Sequence, residues 1–201
     1  SIGGIGNDYI NSVCITNNGK IIVAGTFEDM INIDGKEIIS KGGSDGIIIE
    51  YDLEGNIQVG KQIGEIEDDT IDMVTTINEN GLIVAGNFYN ELEEANLIKY
   101  DNNLELEWTK NLNATINSMD VTEKGNLVIV GSISDNVVEM GDYTLRCKGN
   151  SEAVIINLNK EGKIEWAKTI GGNDSERLKT VDIINEEEII VGGSFDSDEI
   201  E

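Results

Sequence analysis

The 201 residues contain no histidine, and Lys and Arg together number only 14. Without an imidazole there can be no Ser-His-Asp triad, no Cys-His pair, no HExxH zinc site and no histidine general base. Carboxylate-only chemistry, as in glycoside hydrolysis, survives that exclusion. Against 39 Asp and Glu the formal charge is −25, so the groups needed to neutralise a nucleic-acid backbone or to meet an anionic membrane are missing. Cysteine is also scarce. Cys14 and Cys147 show no CxxC spacing, which leaves no thiol metal site or redox motif and keeps the redox compartment open. Cys14 lies in an apolar run and reads as a small buried hydrophobe. No apolar run approaches the length of a transmembrane helix, which argues against membrane insertion. No signal peptide is seen, and the chain starts with Ser1, which reads as an excised segment or a processed product.

What is present is a strand-biased apolar set. Hydrophobic residues make up 39% of the chain; Ile, Val and Leu dominate and Ala is sparse, which favours sheet over helix. The chain also repeats. A shift of 61 residues carries Ile2, Gly3, Asp8, Ile10, Val13, Val23 and Gly25 onto Ile63, Gly64, Asp69, Ile71, Val74, Val84 and Gly86 without a gap. A shift of 106 carries Ile10, Gly19 and Gly25 onto Ile116, Gly125 and Gly131, and a shift of 168 carries Ile2, Gly3, Gly4, Val13 and Gly25 onto Ile170, Gly171, Gly172, Val181 and Gly193. The phrases YDLEGNIQVGK, YDNNLELEWTK and LNKEGKIEWAK are one motif written three times.

Each unit holds four strand-like runs, A to D. They are spaced by turn signals at Asn18-Gly19, Asn80-Gly81 and Lys124-Gly125 (A to B) and at Glu54-Gly55 and Glu161-Gly162 (C to D). The order predicts an antiparallel meander. Runs B and C are apolar on both faces, so both faces must be covered. Stacked four-stranded sheets around an axis meet that need, whereas the coils of a β-solenoid are usually shorter. The expectation is therefore an all-β chain over 1–201: a β-propeller of three complete four-stranded antiparallel blades and a partial fourth, with units near 2–62, 63–111, 112–169 and 170–201. Gly25, Gly86, Gly131 and Gly193 close run B, where a side chain is expected to crowd a neighbouring blade or a bend.

The string IGGIGNDYINSV…GKIIVAGTF…IDGKEIISKGGSDGIIIEYDLEGN, with EWAKTIGG closing a unit, resembles the bacterial SBBP-type β-propeller repeat. The second unit departs from the pattern, its B–C segment shrinking to Asn87–Ala95, and the third unit has Asn111–Thr115 where the pattern has Gly-Gly. The resemblance implies a propeller of secreted or cell-surface bacterial proteins, hence an extracellular or cell-surface location, with no shared catalytic residues.

Two constellations carry candidate chemistry. The D–A loops hold Asn7 and Asp8, then Glu67, Asp68 and Asp69, then Asn173, Asp174, Ser175 and Glu176. On one end of a propeller they would form a ligand-binding face, and their oxygens are of the kind that ligate Ca²⁺, though short polar residues also simply make turns. Run A places Cys14, Thr75, Asp120 and Asp182 at equivalent positions. Facing a central channel, Asp120 and Asp182 would be a carboxylate pair able to act as acid and base; the plainer reading is that each bonds backbone amides of a neighbouring turn. Gly42, Gly43 and Gly46 lack the Lys-Ser/Thr of a phosphate loop and read as a turn. The sequence thus leads to a non-catalytic binding or scaffold module for a protein or glycan, which associates with itself or with further blades of a longer chain. A carboxylate-based glycosidase or lyase and a purely structural spacer are the alternatives.

Overall fold

The computed structural model describes residues 2–77, 81–89 and 94–200. The chain divides into two compact units, Ser1–Asn111 and Leu112–Glu201. In the first, β1 (Gly3–Gly4), β2 (Asp8–Ile15), β3 (Ile21–Ile33), β4 (Lys36–Tyr51) and β5 (Ile57–Ile63) make a five-stranded antiparallel sheet in which both β1 and β2 pair with β3. A second sheet runs β6 (Thr70–Ile77), β7 (Gly81–Tyr89), β8 (Glu94–Tyr100) and β9 (Leu106–Lys110) in chain order. The second unit contains β10 (Thr115–Val121), β11 (Leu127–Ile133), β12 (Val137–Met140), β13 (Tyr143–Arg146), β14 (Glu152–Leu158), β15 (Ile164–Ile170), β16 (Glu176–Ile183) and β17 (Ile189–Phe195). These form a four-stranded sheet β10-β11-β14-β15 and two hairpins, β12-β13 and β16-β17.

The all-β class expected from the sequence is what forms. The β-propeller is not: the strands lie in five discrete sheets that do not close on one another, so the expectation of three blades and a partial fourth is corrected. The physical reason is that alternation and turn residues report strands and hairpins, which are local, whereas ring closure depends on how sheets pack, which a repeat does not encode by itself.

The hairpins follow the turn chemistry. Gly19, Gly55, Gly125 and Gly162 all take positive φ, between +79° and +85°, a conformation that costs a side-chain-bearing residue. The Asn80-Gly81 turn involves Asn80, which lies outside the described residues, as do residues 90–93 of the shortened B–C segment. Where the second unit of the repeat has no Gly in its C–D turn, Leu104 takes φ +61° itself and is buried. Those C–D turns are held by the second residue of the repeated phrase: Asp52 accepts from Asn56 N (2.8 Å), Asp101 from Glu105 N (2.8 Å) and Asn159 from Lys163 N (2.9 Å). Hydrogen bonds from Asn56 hold the Asp52 carboxyl below its usual range, and the Glu105 amide does the same for Asp101.

The segment between runs B and C of the first unit is a hairpin: β3 and β4 continue past β2 and β5, with Met30 opposite Ile39 and Ile33 opposite Lys36, and β1 pairs with this extension of β3 at Ile31 and Asn32. Phe27, Ile31 and Ile33 of the hairpin pack with Ile47 and Ile49 of the sheet. The strand-B glycines also have a different cause from the one expected. A Cβ on Gly25, Gly86, Gly131 or Gly193 would lie 1.9, 2.0, 1.8 or 2.2 Å from the carbonyl oxygen of Tyr9, Thr70, Thr115 or Arg177. The obstacle is the first strand of the same sheet, which bulges at that point in all four copies: between Ile10 and Ser12, Ile71 and Met73, Ile116 and Ser118, and Leu178 and Thr180.

Within the first unit the two sheets meet face to face. Ile22, Ala24 and Ile48 of one pack with Ile71, Val74, Leu82 and Val84 of the other. In the second unit Val128, Val130 and Ile155 pack with Leu178 and Val181. Ile48 is fully buried in the first of these layers. Ile48→Ala is expected to lower stability by about 2–5 kcal/mol in urea unfolding, through lost transfer energy and the cavity left behind.

Candidate functional site

The candidate site residues gather where one sheet hands over to the next. The edge strand of an incoming sheet has outward-facing N–H and C=O groups that its own hairpin cannot satisfy. In the first unit, Asn11 Nδ2 of β2 donates to Ile71 O of β6 (2.6 Å), and Ser12 Oγ accepts from Val74 N (3.1 Å). In the second unit, Asn117 Nδ2 donates to Leu178 O (2.7 Å) and Ser118 Oγ accepts from Val181 N (3.3 Å). The Asn-Ser pair sits at the bulge in both places, which turns its side chains out of the ladder and toward the next sheet. Asp120 adds a third bond: its Oδ2 accepts from Ile183 N (2.9 Å) while Oδ1 accepts from Val121 N (2.8 Å). Its carboxylate is therefore held by backbone amides, one of them on the neighbouring sheet. Asp182 stands on an exposed position opposite Ile190.

A second set of junction contacts is built from buried acids. Asp45 of β4 and Asp69 before β6 are both buried, as are Glu152 and Glu176, 107 residues further on in each case. Asp45 accepts from Lys41 N (3.0 Å) and from the Gln62 side chain. Asp69 Oδ2 accepts from Glu65 N (2.9 Å) and Oδ1 from Tyr89 N (2.7 Å), while its own amide donates to Ser44 O (2.8 Å). In the second unit Glu152 accepts from Lys148 N (3.1 Å); Glu176 accepts from Gly172 N (2.9 Å) and Ser197 N (3.1 Å), and its amide donates to Ser151 O (3.0 Å). Each pair closes over a glycine. A Cβ on Gly64 would lie 2.6 Å from Asp45 Oδ1 and 2.9 Å from Asp69 Oδ2; one on Gly171 would lie 2.0 Å from Glu152 Oε2 and 2.9 Å from Glu176 Oε2.

Of the remaining loop residues, Asp68 and Asp174 serve the same junctions. Asp68 Oδ1 accepts from Ser44 N (3.1 Å), and Asp174 O accepts from Asn150 N (2.7 Å). Asn7 Nδ2 donates to Glu28 Oε2 (2.8 Å), Asp8 Oδ2 accepts from Gly4 N (2.7 Å), and Asn173 lies exposed in its turn. Among the described residues no group of three or more Asp, Glu or Cys side chains is placed to hold a metal ion. Burial pushes the Cys14 thiol up to about 11, away from thiolate chemistry, and raises Cys147 as well. Sequence reading singled out Asp69 and Glu176 as loop oxygens, took Asp45 as part of a turn and passed over Glu152. The signal was there: two acids 24 residues apart in both copies, with a glycine five residues before the second.

No family model and no curated protein matches the chain. The resemblance to the SBBP-type repeat is accordingly corrected, and with it the reading of the chain as a propeller-borne binding module of a bacterial surface. The sheets show an all-β protein instead. Among solved structures, a protein of unknown function from Bacteroides caccae is similar at 11% identity, over 81% of this chain and 82% of that one, with a TM-score of 0.36. Among the described residues no helix is long and apolar enough to cross a membrane.

Asp69 and Glu176, the second acid of each pair, shift in opposite senses. Burial, joined by repulsion from Asp45 and Glu65, raises Asp69 above its usual 3.8 despite the amides of Tyr89 and Glu65. Burial also pulls Glu176 upward, but the hydrogen bonds of Ser197 and the amides of Gly172 and Asp196 outweigh it and leave the group below 4.5. A lowered acid contributes stability above its unfolded value, and that is lost as pH falls through the folded one; a raised acid contributes below its unfolded value, and that is lost as pH rises through the folded one. In urea unfolding between pH 7 and pH 3, the deficit of Glu176→Gln relative to wild type is expected to shrink with falling pH. That of Asp69→Asn is expected to grow. The glycines give a sharper expectation: Gly171→Ala lowers the midpoint of the second unit by more than an exposed Gly→Ala, since the new methyl meets a buried carboxylate.

Proposed function

We propose that the chain is a non-catalytic structural module, in which polar side chains tie together the two sheets of the first unit and, in the second, the four-stranded sheet and the last hairpin. The observation that carries this reading is the engagement of Asp120, the one member of the expected carboxylate pair in a position to act on a neighbouring sheet. Both of its oxygens accept backbone amides, one in its own strand and one in the next sheet. A general acid or base must present its carboxyl to a substrate; this one is occupied by main chain. Asp45, Asp69, Glu152 and Glu176 are engaged in the same manner and buried.

A structural role and a catalytic one differ in what Asp120→Ala changes. The structural reading expects a loss of about 1–3 kcal/mol in urea unfolding, the cost of removing a charged acceptor from partly buried amides. It also expects no turnover of a panel of chromogenic α- and β-glycosides by the wild-type chain. Steady product release that vanishes in Asp120→Ala or Asp182→Ala, with unfolding unchanged, would replace the structural reading with a carboxylate hydrolase.

A further inference from the structure

The first and last sheets of the chain expose the residues that the internal sheet-to-sheet contacts bury. On the incoming face, Ile71 and Val74 of β6 are 0% and 5% exposed, and Leu178 and Val181 of β16 are 1% and 7% exposed; the same repeat positions in β2, Ile10 and Val13, are 54% and 62% exposed. On the outgoing face, Ile22 and Val128 are each 1% exposed, opposite Cys14 and Asp120; Ile190, opposite Asp182, is 58% exposed. Isolated exposed apolar residues are ordinary. Here they fall on the repeat positions that form the two established interfaces.

The polar half of the interface is present at both ends too. In the second unit the outgoing staple is Ser118 on Val181 N and Asp120 on Ile183 N. Thr180 and Asp182 of β16 stand at those two positions relative to the bulge and to β17, and both are exposed. The repeat equivalents of Val181 N and Ile183 N on the first sheet are Val13 N and Ile15 N of the edge strand β2, and Ile15 is exposed as well. One end carries the acceptors and the other the amides.

We infer that a second copy of this chain is the occupant: the outgoing face of β16-β17 in one copy packs on the β2 face of the next, with Thr180 and Asp182 taking the amides of Val13 and Ile15 and Ile190 covering Ile10 and Val13. The contact is head-to-tail, since the two faces are complementary and not alike. This rests on the structural reading above, whose own failure would show as turnover, whereas the present inference fails on mass alone. A charge of −25 on every copy opposes association, so salt, which screens repulsion between copies, strengthens it.

The test is the molar mass of the intact chain by light scattering, at rising concentration and in low and high salt. Mass that rises with concentration, and rises further in high salt, is expected. Val13→Glu blocks only the incoming face and Ile190→Glu only the outgoing one; each is exposed, and far-UV circular dichroism checks the fold. Each variant alone is expected to be monomeric, because every contact needs one face of each kind. An equimolar mixture retains one live face of each kind and is expected to form a one-to-one dimer and nothing larger. Should either variant misfold, Ile10→Glu and Asp182→Lys repeat the comparison. A wild-type monomer at every concentration overturns the inference, as do variants that still associate or a mixture that stays monomeric. In those cases the faces serve another partner or none.

Discussion

The unpaired backbone of each sheet's first strand is the constraint on which the arrangement turns. Such an edge must be covered or its amides left without partners. Here the cover is chemical as well as steric. A bulge in the preceding sheet's first strand swings an Asn-Ser pair outward, and those side chains take a carbonyl and an amide of the next sheet. The apolar layer of Ile22, Ala24 and Ile48 against Ile71 and Val74 supplies the burial, and burial is what gives the few polar bonds their weight, since an amide shut away without a partner costs more than a bond gains. The bulge, the glycine opposite it and the Asn-Ser pair are therefore one device. Removing the glycine's freedom closes off the bulge, and without the bulge the polar pair would stay in the ladder.

The buried acids solve a related problem in the loops that lead into β6 and β16. Loops there must reverse between sheets without a Pro in the whole chain, so their geometry is held by carboxylates that collect backbone amides. The two copies differ in chemistry. Asp45 and Asp69 in one unit become Glu152 and Glu176 in the other, each a methylene longer, and the closest approach at the glycine tightens from 2.6 to 2.0 Å. The longer Glu176 reaches Ser197 as well as Gly172 and is held ionised. Asp69 has strong amides but also Asp45 and Glu65 for neighbours, and burial prevails. The same motif is thus an acid-labile clasp in one unit and an acid-tolerant one in the other.

Much of this was open to sequence reading and some was not. Strands, hairpins and the all-β class were legible because alternation, Asn-Gly and the repeated Asp of the C–D turn act within a few residues. The hairpin of β3 and β4 was missed because Gly42, Gly43, Asp45 and Gly46 look like a turn; the glycines serve in strand because Gly42 and Gly43 lie where a Cβ would meet Glu67 O and Asp68 Oδ1. The propeller was inferred from periodicity, and periodicity says how often a sheet recurs, not whether the sheets close. Asp120 was legible as a residue but ambiguous as a role, because one pattern of acids serves a channel or a staple. Only the partner, Ile183 N, separates the two.

The acidity of the chain acquires a different meaning once its acids are sorted by what they touch. Asp45, Asp69, Glu152 and Glu176 are interior structure, and Asp52 and Asp101 hold turns; none of these is available to attract a cation or a basic partner without undoing the fold. What remains on the surface is an excess of negative charge with few basic groups to balance it, and its physical effect between copies is repulsion. A head-to-tail contact of the kind inferred above sets no fixed number of copies unless it closes into a ring. The surface charge supplies an opposing term that does not depend on register, and the ionic strength of the surroundings sets how far it reaches.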